Sequence, residues 1–177
     1  MKSTKSAGRY AKALLELAQE QNKTDIVESN MLEVVKASKE THDFQVFLNS
    51  PIIKVDKKID VMNQLFSNFD SLTMSFLELI TKNGRENLII AIANSFLAQL
   101  KELRGIVPVS ITSASPLDEK TREVILSKVK SIASGKLEVE EIIDKTIIGG
   151  FVVRLGDKQI DASVASQLNR MKQELTK

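Results

Sequence analysis

Few side chains in this sequence have the type and spacing that catalysis or metal binding requires. The sequence contains a single histidine, His42, in the polar stretch Thr41-His42-Asp43, and it contains no cysteine. A general base needs positioned partners, and a zinc site needs several nitrogen or sulfur ligands. We therefore interpret His42 as a solvated residue in a junction between two helices.

The acidic and glycine-containing motifs also favour structural roles. Glu138, Glu140 and Glu141 form a small acidic cluster, which we interpret as the solvated face of a strand. Gly149 and Gly150 lie inside an apolar stretch, where such a pair favours a bulge or close backbone packing. The sequence has no Walker A, GxGxxG or GxSxG pattern. It therefore predicts a binding or structural role, with no catalytic residues, no metal and no cofactor.

Composition narrows the class of protein further. The chain has 177 residues, of which 42% are hydrophobic and 27% charged, and its formal net charge is +2. These values are typical of a soluble globular protein with one medium or two small domains. Charges of both signs are mixed along the chain, without the basic face that nucleic-acid binding needs. The apolar segments are too short or too polar for a membrane span or a signal peptide, so we expect no direct membrane insertion.

Hydrophobic periodicity predicts six short helices before Gly105. The first covers about residues 6–21, the fifth about residues 71–82, and the sixth begins near Glu86 and is apolar nearly all round. The polar residues that we expect to cap the second and third helices are Thr24 or Asp25, and Asp43. Asn83-Gly84 is expected to end the fifth helix. Short helices joined by short loops predict a six-helix bundle over residues 1–105.

The pattern changes after Gly105, where we place a boundary between domains 1–105 and 106–177. Alternation around Val107 to Ile111 predicts a strand, in which Pro108 favours an edge position. Ser115-Pro116 is expected to start a helix. Its inner stripe is Leu117, Thr121, Ile125, Val129 and Ile132.

Further strands and one helix are predicted in the rest of the second domain. The segments 137–143 and 147–155 have the composition of strands, and Gly156-Asp157 is expected to turn the chain into a strand at residues 158–160. Asp161 is expected to cap the last helix. The predicted fold class is mainly α, with a small α/β C-terminal domain after the helical bundle.

Four segments of the sequence resemble the delta-subunit family of bacterial F-type ATP synthases, which includes the mitochondrial oligomycin-sensitivity-conferring protein. These segments are Gly8-Arg9-Tyr10-Ala11-Lys12-Ala13-Leu14, Lys82-Asn83-Gly84-Arg85, Leu103-Arg104-Gly105 and Ile148-Gly149-Gly150-Phe151-Val152-Val153-Arg154-Leu155-Gly156-Asp157-Lys158, which continues into Ile160-Asp161. Their order and spacing agree with the family over the whole chain. One position departs from it, because Ala165 stands where the family often has a basic residue.

The resemblance implies a non-catalytic stator subunit, present in one copy per complex at the cytoplasmic face of the bacterial inner membrane. In that family, a groove between the first and fifth helices receives the N-terminal helices of the alpha subunits. The corresponding candidates here are Tyr10, Ala13, Leu14, Leu17, Phe76 and Ile80. The C-terminal part contacts the b subunits of the peripheral stalk, and the candidates are Val164, Leu168, Met171 and Leu175.

Two alternatives stay open at the level of the sequence. The apolar residues assigned to the groove have the spacing of an ordinary helical core, so each of them could pack inside the bundle. A free helical adaptor that binds some other amphipathic helix would show the same patterns. Purification with a membrane complex distinguishes a stator subunit from such an adaptor, and an enzyme is the third and weakest reading.

Overall fold

The computed structural model describes residues 5–132, 135–144, 146–156 and 158–175. For residues 120, 130–132, 158, 167, 169, 170, 174 and 175 it describes only the backbone. The chain forms two compact units, Met1–Leu100 and Lys101–Lys177. The described residues are mainly helical, with one small sheet near the C-terminus, as the sequence predicts.

Six α-helices account for most of the described residues up to Leu103. They are α1 (Lys5–Glu20), α2 (Thr24–Glu40), α3 (His42–Asn49), α4 (Val55–Leu65), α5 (Ser71–Lys82) and α6 (Ile89–Leu103), with a 3₁₀ turn at Glu86–Leu88. The division between the units falls inside α6, whereas the sequence pattern changes at Gly105, just after that helix ends.

One hydrophobic core joins the helices of the first unit. Ala7, Ala11 and Ala18 are fully buried on α1, where their small side chains allow close helix packing. Helix α6 contributes five buried residues, which are Ile89, Ile92, Ala93, Phe96 and Leu100. Its Asn94 and Ala98 are exposed, so α6 is not buried all round as its composition suggested.

Two predicted helix caps were wrong and one helix end was confirmed. Thr24 and Asp25 lie inside the first turn of α2, and Asp43 lies inside the first turn of α3. Acidic side chains at these positions face the positive end of the helix dipole rather than capping it. Gly84 ends α5 with a φ of +66°, and the Arg85 amide donates to the Ile80 carbonyl as in a Schellman motif.

The second unit contains a four-stranded sheet with the order β2-β1-β3-β4. The strands are β1 (Ile106–Ser113), β2 (Lys136–Ile143), β3 (Phe151–Leu155) and β4 (Lys158–Asp161). β1 runs parallel to β2 and antiparallel to β3, and β3 and β4 form a hairpin through Gly156, while Asp157 lies outside the described residues. Helix α7 (Glu119–Ile132) covers one face, and α8 (Val164–Leu175) follows β4.

Pro108 occupies a central strand, contrary to the expectation of an edge. It pairs with Glu138 of β2, but the pairing of β1 with β3 begins only at Val109. On its β3 side Pro108 therefore lies beyond the end of the neighbouring strand, where a missing N–H leaves no ladder bond unmade. The edge environment that proline requires exists locally within a central strand.

Helices α7 and α8 both start later than predicted. α7 begins at Glu119, and the Asp118 carboxylate, rather than Ser115, accepts a hydrogen bond from the Thr121 amide at 3.4 Å.

The predicted inner stripe of α7 faces the sheet. Ile125 and Val129 of this stripe are buried, and Leu117 packs partly against the same core. The side chain of Ile132 lies outside the described ones. The core of this unit therefore forms between α7 and one face of the sheet.

Candidate partner-binding surfaces

The residues that could do chemistry do not converge in the structure. His42 is exposed at the start of α3. The acidic cluster divides across β2, because Glu138 pairs with Lys101 at 2.5 Å while Glu141 faces α7 and pairs with Arg122 at 2.7 Å. Within the described residues, no group of three or more His, Cys, Asp or Glu side chains could hold a metal ion. The same residues include no helix that is both long and apolar enough to cross a membrane.

The groove candidates on α1 and α5 fall into an exposed set and a buried set. Ala13 is exposed, Leu17 is 43% exposed and Tyr10 is half-buried, so these three residues are accessible to a partner. Leu14, Phe76 and Ile80 are buried in the core of the first unit. Leu14 and Ile80 have no exposed surface and Phe76 only 8%, so these three side chains offer a partner almost no contact in this conformation.

One exposed apolar residue of α5 was not among the candidates. Leu79 is 52% exposed and lies three residues after Phe76 on the same helix. The apolar pattern of this helix does not by itself distinguish an exposed leucine from a buried one. We call the accessible residues Tyr10, Ala13, Leu17 and Leu79 the α1/α5 surface.

Two polar contacts connect α1 and the residues after it with the two ends of α5. After the end of α1, the Lys23 ammonium donates to both carboxylate oxygens of Asp70, at 3.0 and 2.9 Å, where Asp70 caps the start of α5. In the second turn of α1, the Tyr10 hydroxyl accepts a hydrogen bond at 2.6 Å from the Arg85 Nη1 group, which lies just beyond the end of α5. The start of α5 is therefore tied to the residues after α1, and the turn after α5 is tied to the second turn of α1.

The Asp70 carboxylate has two functions at its end of the pair. It accepts from Lys23, and it accepts a hydrogen bond from the Leu72 amide at 2.9 Å, which caps α5. The Lys23 hydrogen bond and the Leu72 amide hold the pKa of Asp70 below its ordinary value. Asp70 therefore stays ionised at neutral pH, the state in which both contacts are strongest.

Helix α8 leaves an apolar stripe exposed. Val164 is 38% exposed, and Leu168 and Met171 are each 58% exposed. Spacings of four and three residues place them on one side of the helix. Leu175, the fourth candidate, continues this spacing, but its side chain lies outside the described ones. We call Val164, Leu168 and Met171 the α8 stripe.

Polar contacts fasten the first turn of α8. The Ser166 amide is 3.3 Å from the Ser163 hydroxyl, so Ser163 is the cap. Asp161, which was expected to be the cap, instead accepts from the Ser163 amide at 2.9 Å and from the Ser166 hydroxyl at 2.8 Å. These contacts orient α8 at the end of β4.

Gly149 and Gly150 lie just before β3, not inside a strand, and they pack against the connection between β4 and α8. The Val164 amide donates to the Gly149 carbonyl at 3.0 Å. A Cβ on Gly150 would approach the Ala162 carbonyl oxygen to 2.4 Å, and its φ is +81°. The glycine pair therefore allows the close backbone packing that the sequence suggested, and it positions the start of α8.

Comparisons with known proteins agree over nearly the whole chain. A family model described as "ATP synthase delta (OSCP) subunit" matches residues 7–175. The ATP synthase subunit delta of Christiangramia forsetii is 35% identical over 175 residues, covering 99% of this chain and 95% of that protein. The protein of the same name from Cytophaga hutchinsonii is 38% identical over 177 residues, covering 99% of this chain and 97% of that protein.

A solved structure gives the same assignment at the level of the fold. One chain in the cryo-EM structure of the Toxoplasma gondii mitochondrial ATP synthase hexamer aligns with a TM-score of 0.76 and 28% sequence identity. The alignment covers 98% of this chain and 99% of that chain. By the family match and by the two bacterial relatives, this chain belongs to the family of ATP synthase delta (OSCP) subunits.

Proposed function

We propose that this chain is a stator connector, which ties the catalytic head of a bacterial F-type ATP synthase to its peripheral stalk. Delta subunits are structural rather than catalytic members of the ATP synthase. The observation that carries the proposal is that each of the two compact units leaves an apolar helical surface exposed. A connector needs two such surfaces, one for each structure that it joins.

In this proposal the first unit is a six-helix bundle that binds N-terminal helices of the alpha subunits at the α1/α5 surface. The exposed Leu17 and Leu79 offer apolar anchors, and Ala13 between Tyr10 and Leu17 lets a partner helix approach closely. An amphipathic helix laid on such a surface is a common mode of recognition. Leu14, Phe76 and Ile80 support the surface from inside the core.

The second unit binds the C-terminal end of the b subunits through the α8 stripe. Leu168 and Met171, each 58% exposed, are the largest contributors, and Val164 is fixed beside Gly149 at the start of the helix. Leu175 extends the stripe by one turn in the sequence. A helix with one uncovered apolar side is suited to packing against another helix.

Stator function then follows from binding alone. The subunit resists rotor torque by holding head and stalk together during proton-coupled ATP synthesis. Two contacts in one protein raise each other's effective concentration, so the connection is tighter than either contact alone. Apolar surfaces keep their affinity at cellular salt, whereas exposed ion pairs are screened. One copy acts per complex, at the cytoplasmic face of the plasma membrane, through its partners and without inserting into the bilayer.

A fragment that ends at Gly105 tests this division of labour. It retains the whole of α6 and the core of the first unit, so we expect it to melt cooperatively. Calorimetry should show that it binds the N-terminal alpha peptide about as well as the full chain does. It should not restore ATP-driven proton pumping to membranes stripped of this subunit, whereas the full chain should.

Two results would contradict the proposal. If neither the fragment nor the full chain gives heat with the alpha peptide at high micromolar concentration, the first unit does not bind the head. If the fragment restores pumping fully, the second unit is not the connector to the stalk. A free adaptor is distinguished by isolating the native synthase, because only a stator subunit remains with it.

A further inference from the structure

Arg85 is held in one orientation by Tyr10, although its side chain is exposed. Its Nη1 group donates to the Tyr10 hydroxyl at 2.6 Å, and the guanidinium carbon lies 5.5 Å from the centre of the Tyr10 ring. The contact combines a hydrogen bond with a cation–π interaction between residues 75 positions apart. A long side chain that is normally free to move is thus fixed at the end of the α1/α5 surface.

The turn after α5 explains how Arg85 reaches α1. Gly84 adopts a left-handed conformation, and the Arg85 amide closes the turn by donating to the Ile80 carbonyl at 3.0 Å. Two segments that the sequence singled out separately, one around Tyr10 and one around Gly84, therefore meet at a single contact. The other N–H groups of Arg85 have no acceptor within the described part of the chain.

The acidic residues nearest to Arg85 in the sequence are paired with lysines instead. Glu86, its immediate neighbour, turns inward and binds the buried Lys58 ammonium at 2.6 Å. Glu78 pairs with Lys82 on the exposed side of α5 at 3.2 Å. The guanidinium therefore has a fixed position and unused donors, but no carboxylate of this chain among the described contacts.

We propose that Arg85 is a recognition residue of the α1/α5 surface, which binds a carboxylate on the helix that docks there. The occupant is an amphipathic helix that carries an acidic side chain beside its apolar stripe. The planar guanidinium matches a carboxylate with two parallel hydrogen bonds, which adds directional selectivity to an otherwise apolar contact. Tyr10 acts as a positioning residue, because it orients Arg85. The inference rests on the proposed alpha-subunit contact and names a chemical requirement of that partner.

Calorimetry with the full chain and a synthetic peptide of the N-terminal segment of the alpha subunit tests the role of Arg85. Arg85→Glu is expected to weaken binding about tenfold at low salt, with a smaller difference at high salt, because the contact lies at the rim of an interface. Lys82→Glu is the matched control, since it makes the same change of charge three residues earlier, at the end of α5, and should weaken binding by about twofold or less. Circular dichroism should show both variants folded, because both side chains are exposed.

Charge exchange completes the experiment. Replacing each acidic residue of the peptide in turn by lysine should identify one position whose change weakens binding to the wild type and restores binding to Arg85→Glu. If the wild type binds the peptide but Arg85→Glu and Lys82→Glu lose affinity equally, the role of Arg85 is overturned while the alpha contact stands. If the wild type does not bind the peptide at all, the proposed alpha contact itself fails.

Discussion

The two units of the chain differ in how much of their apolar surface they bury themselves. Among the described residues, the first unit has a core of 21 buried apolar residues, drawn from all six of its helices and from the connection between α4 and α5. The second has six, which lie between α7 and one face of the sheet. α8 contributes none of those six, and its stripe is exposed. The first unit is therefore complete in itself, whereas the second has a helix whose apolar side is not covered by its own core.

This difference indicates two ways of building a binding surface. On α1, the exposed Ala13 and Leu17 lie on a helix whose other side is fully packed, so the surface exists whether or not a partner is present. On α8, the stripe belongs to a helix that contributes no residue to the described core of its unit. We expect binding to the first unit to resemble rigid docking, and binding to the second unit to be accompanied by ordering of α8.

Truncation of a core side chain in the first unit should give the largest effect. Phe96 has no exposed surface, so Phe96→Ala is expected to lower the free energy of unfolding of that unit by about 3–5 kcal/mol. Ile125→Ala is the matched change in the smaller core and should cost about 2–4 kcal/mol there. Hydrogen exchange read by mass spectrometry reports both units in the same sample. If Phe96→Ala accelerates hydrogen exchange equally in both units, the two units unfold together, and they cannot be compared as separate cores.

The next effect concerns an ion pair inside the first unit. Lys58 is 1% exposed, and its ammonium donates to Glu86 at 2.6 Å and to the Leu48 carbonyl at 3.1 Å. Lys58→Met should cost about 3 kcal/mol, because it leaves a largely buried carboxylate without its partner. Adding Glu86→Leu to the same protein should recover most of this loss, since a buried ion pair can be replaced by apolar residues at little cost.

The pH dependence of the same pair has a definite sign. Burial raises the pKa of Glu86, but the Lys58 hydrogen bond, a backbone hydrogen bond and the Lys58 charge together outweigh it and hold the pKa below its ordinary value of 4.5. This stabilisation is therefore present above pH 4.5 and is lost as the pH falls through the lower folded-state value. In Lys58→Met the effect of burial is opposed only by the backbone hydrogen bond of Glu86, so the variant should approach the wild type in stability on acidification. Urea denaturation at pH 7 and at pH 4 measures the free energy of unfolding of both proteins. If the difference between the wild type and Lys58→Met is larger at pH 4 than at pH 7, the predicted pH dependence is wrong.

One glycine-to-alanine substitution in each unit compares how well the two backbones accept a Cβ atom at a positive φ. Gly150→Ala is expected to cost about 2–3 kcal/mol, because its φ is +81° and the new Cβ would meet the Ala162 carbonyl oxygen at 2.4 Å. Gly84→Ala also has a positive φ, but its Cβ would lie in open space, so it should cost only about 1 kcal/mol. If thermal melts show that the two variants lose equal stability, the backbone of the connection before α8 can move to accept the new Cβ. The glycine pair would then not be needed to position α8.

The helices were predictable because their signals are local. The bounds of α5 at Ser71–Lys82 agree with the predicted range, since the apolar spacing and the glycine stop act within a few residues. The sequence also predicts strand β1, but not its central place in the sheet. That place results from its pairing with both β2 and β3, and Pro108 is tolerated there because β3 ends opposite Val109.

The parts that could not be predicted depend on contacts between distant residues. Lysine is almost never fully buried unless it is paired, and nothing in the sequence links Lys58 to Glu86, which is 28 residues away. The sequence likewise gives no sign that Tyr10 and Arg85, which lie in two separate motifs 75 positions apart, are in contact. Among the groove candidates, Leu14 and Leu17 are the same residue type three positions apart on one helix. Only the packing of α1 shows that the first is buried and the second exposed.

The smallest effect on stability should come from Ala13→Arg, which tests whether the exposed side of α1 is a binding surface. Ala13 is exposed, so the arginine side chain can extend into solvent, and the free energy of unfolding should stay within about 0.5 kcal/mol of the wild type. A buried charge at this position would instead cost several kcal/mol and unfold the unit. Affinity for the alpha peptide should nevertheless fall strongly, because the long charged side chain occupies the space of the partner's apolar stripe.

Gln19→Arg is the control variant. It adds the same charge to an exposed position on the opposite side of α1 and should leave binding nearly unchanged. Circular dichroism and calorimetry together separate folding from binding. If the two variants bind the peptide equally well, the partner does not dock on the α1/α5 surface, and the completed core of the first unit would have a purely structural function.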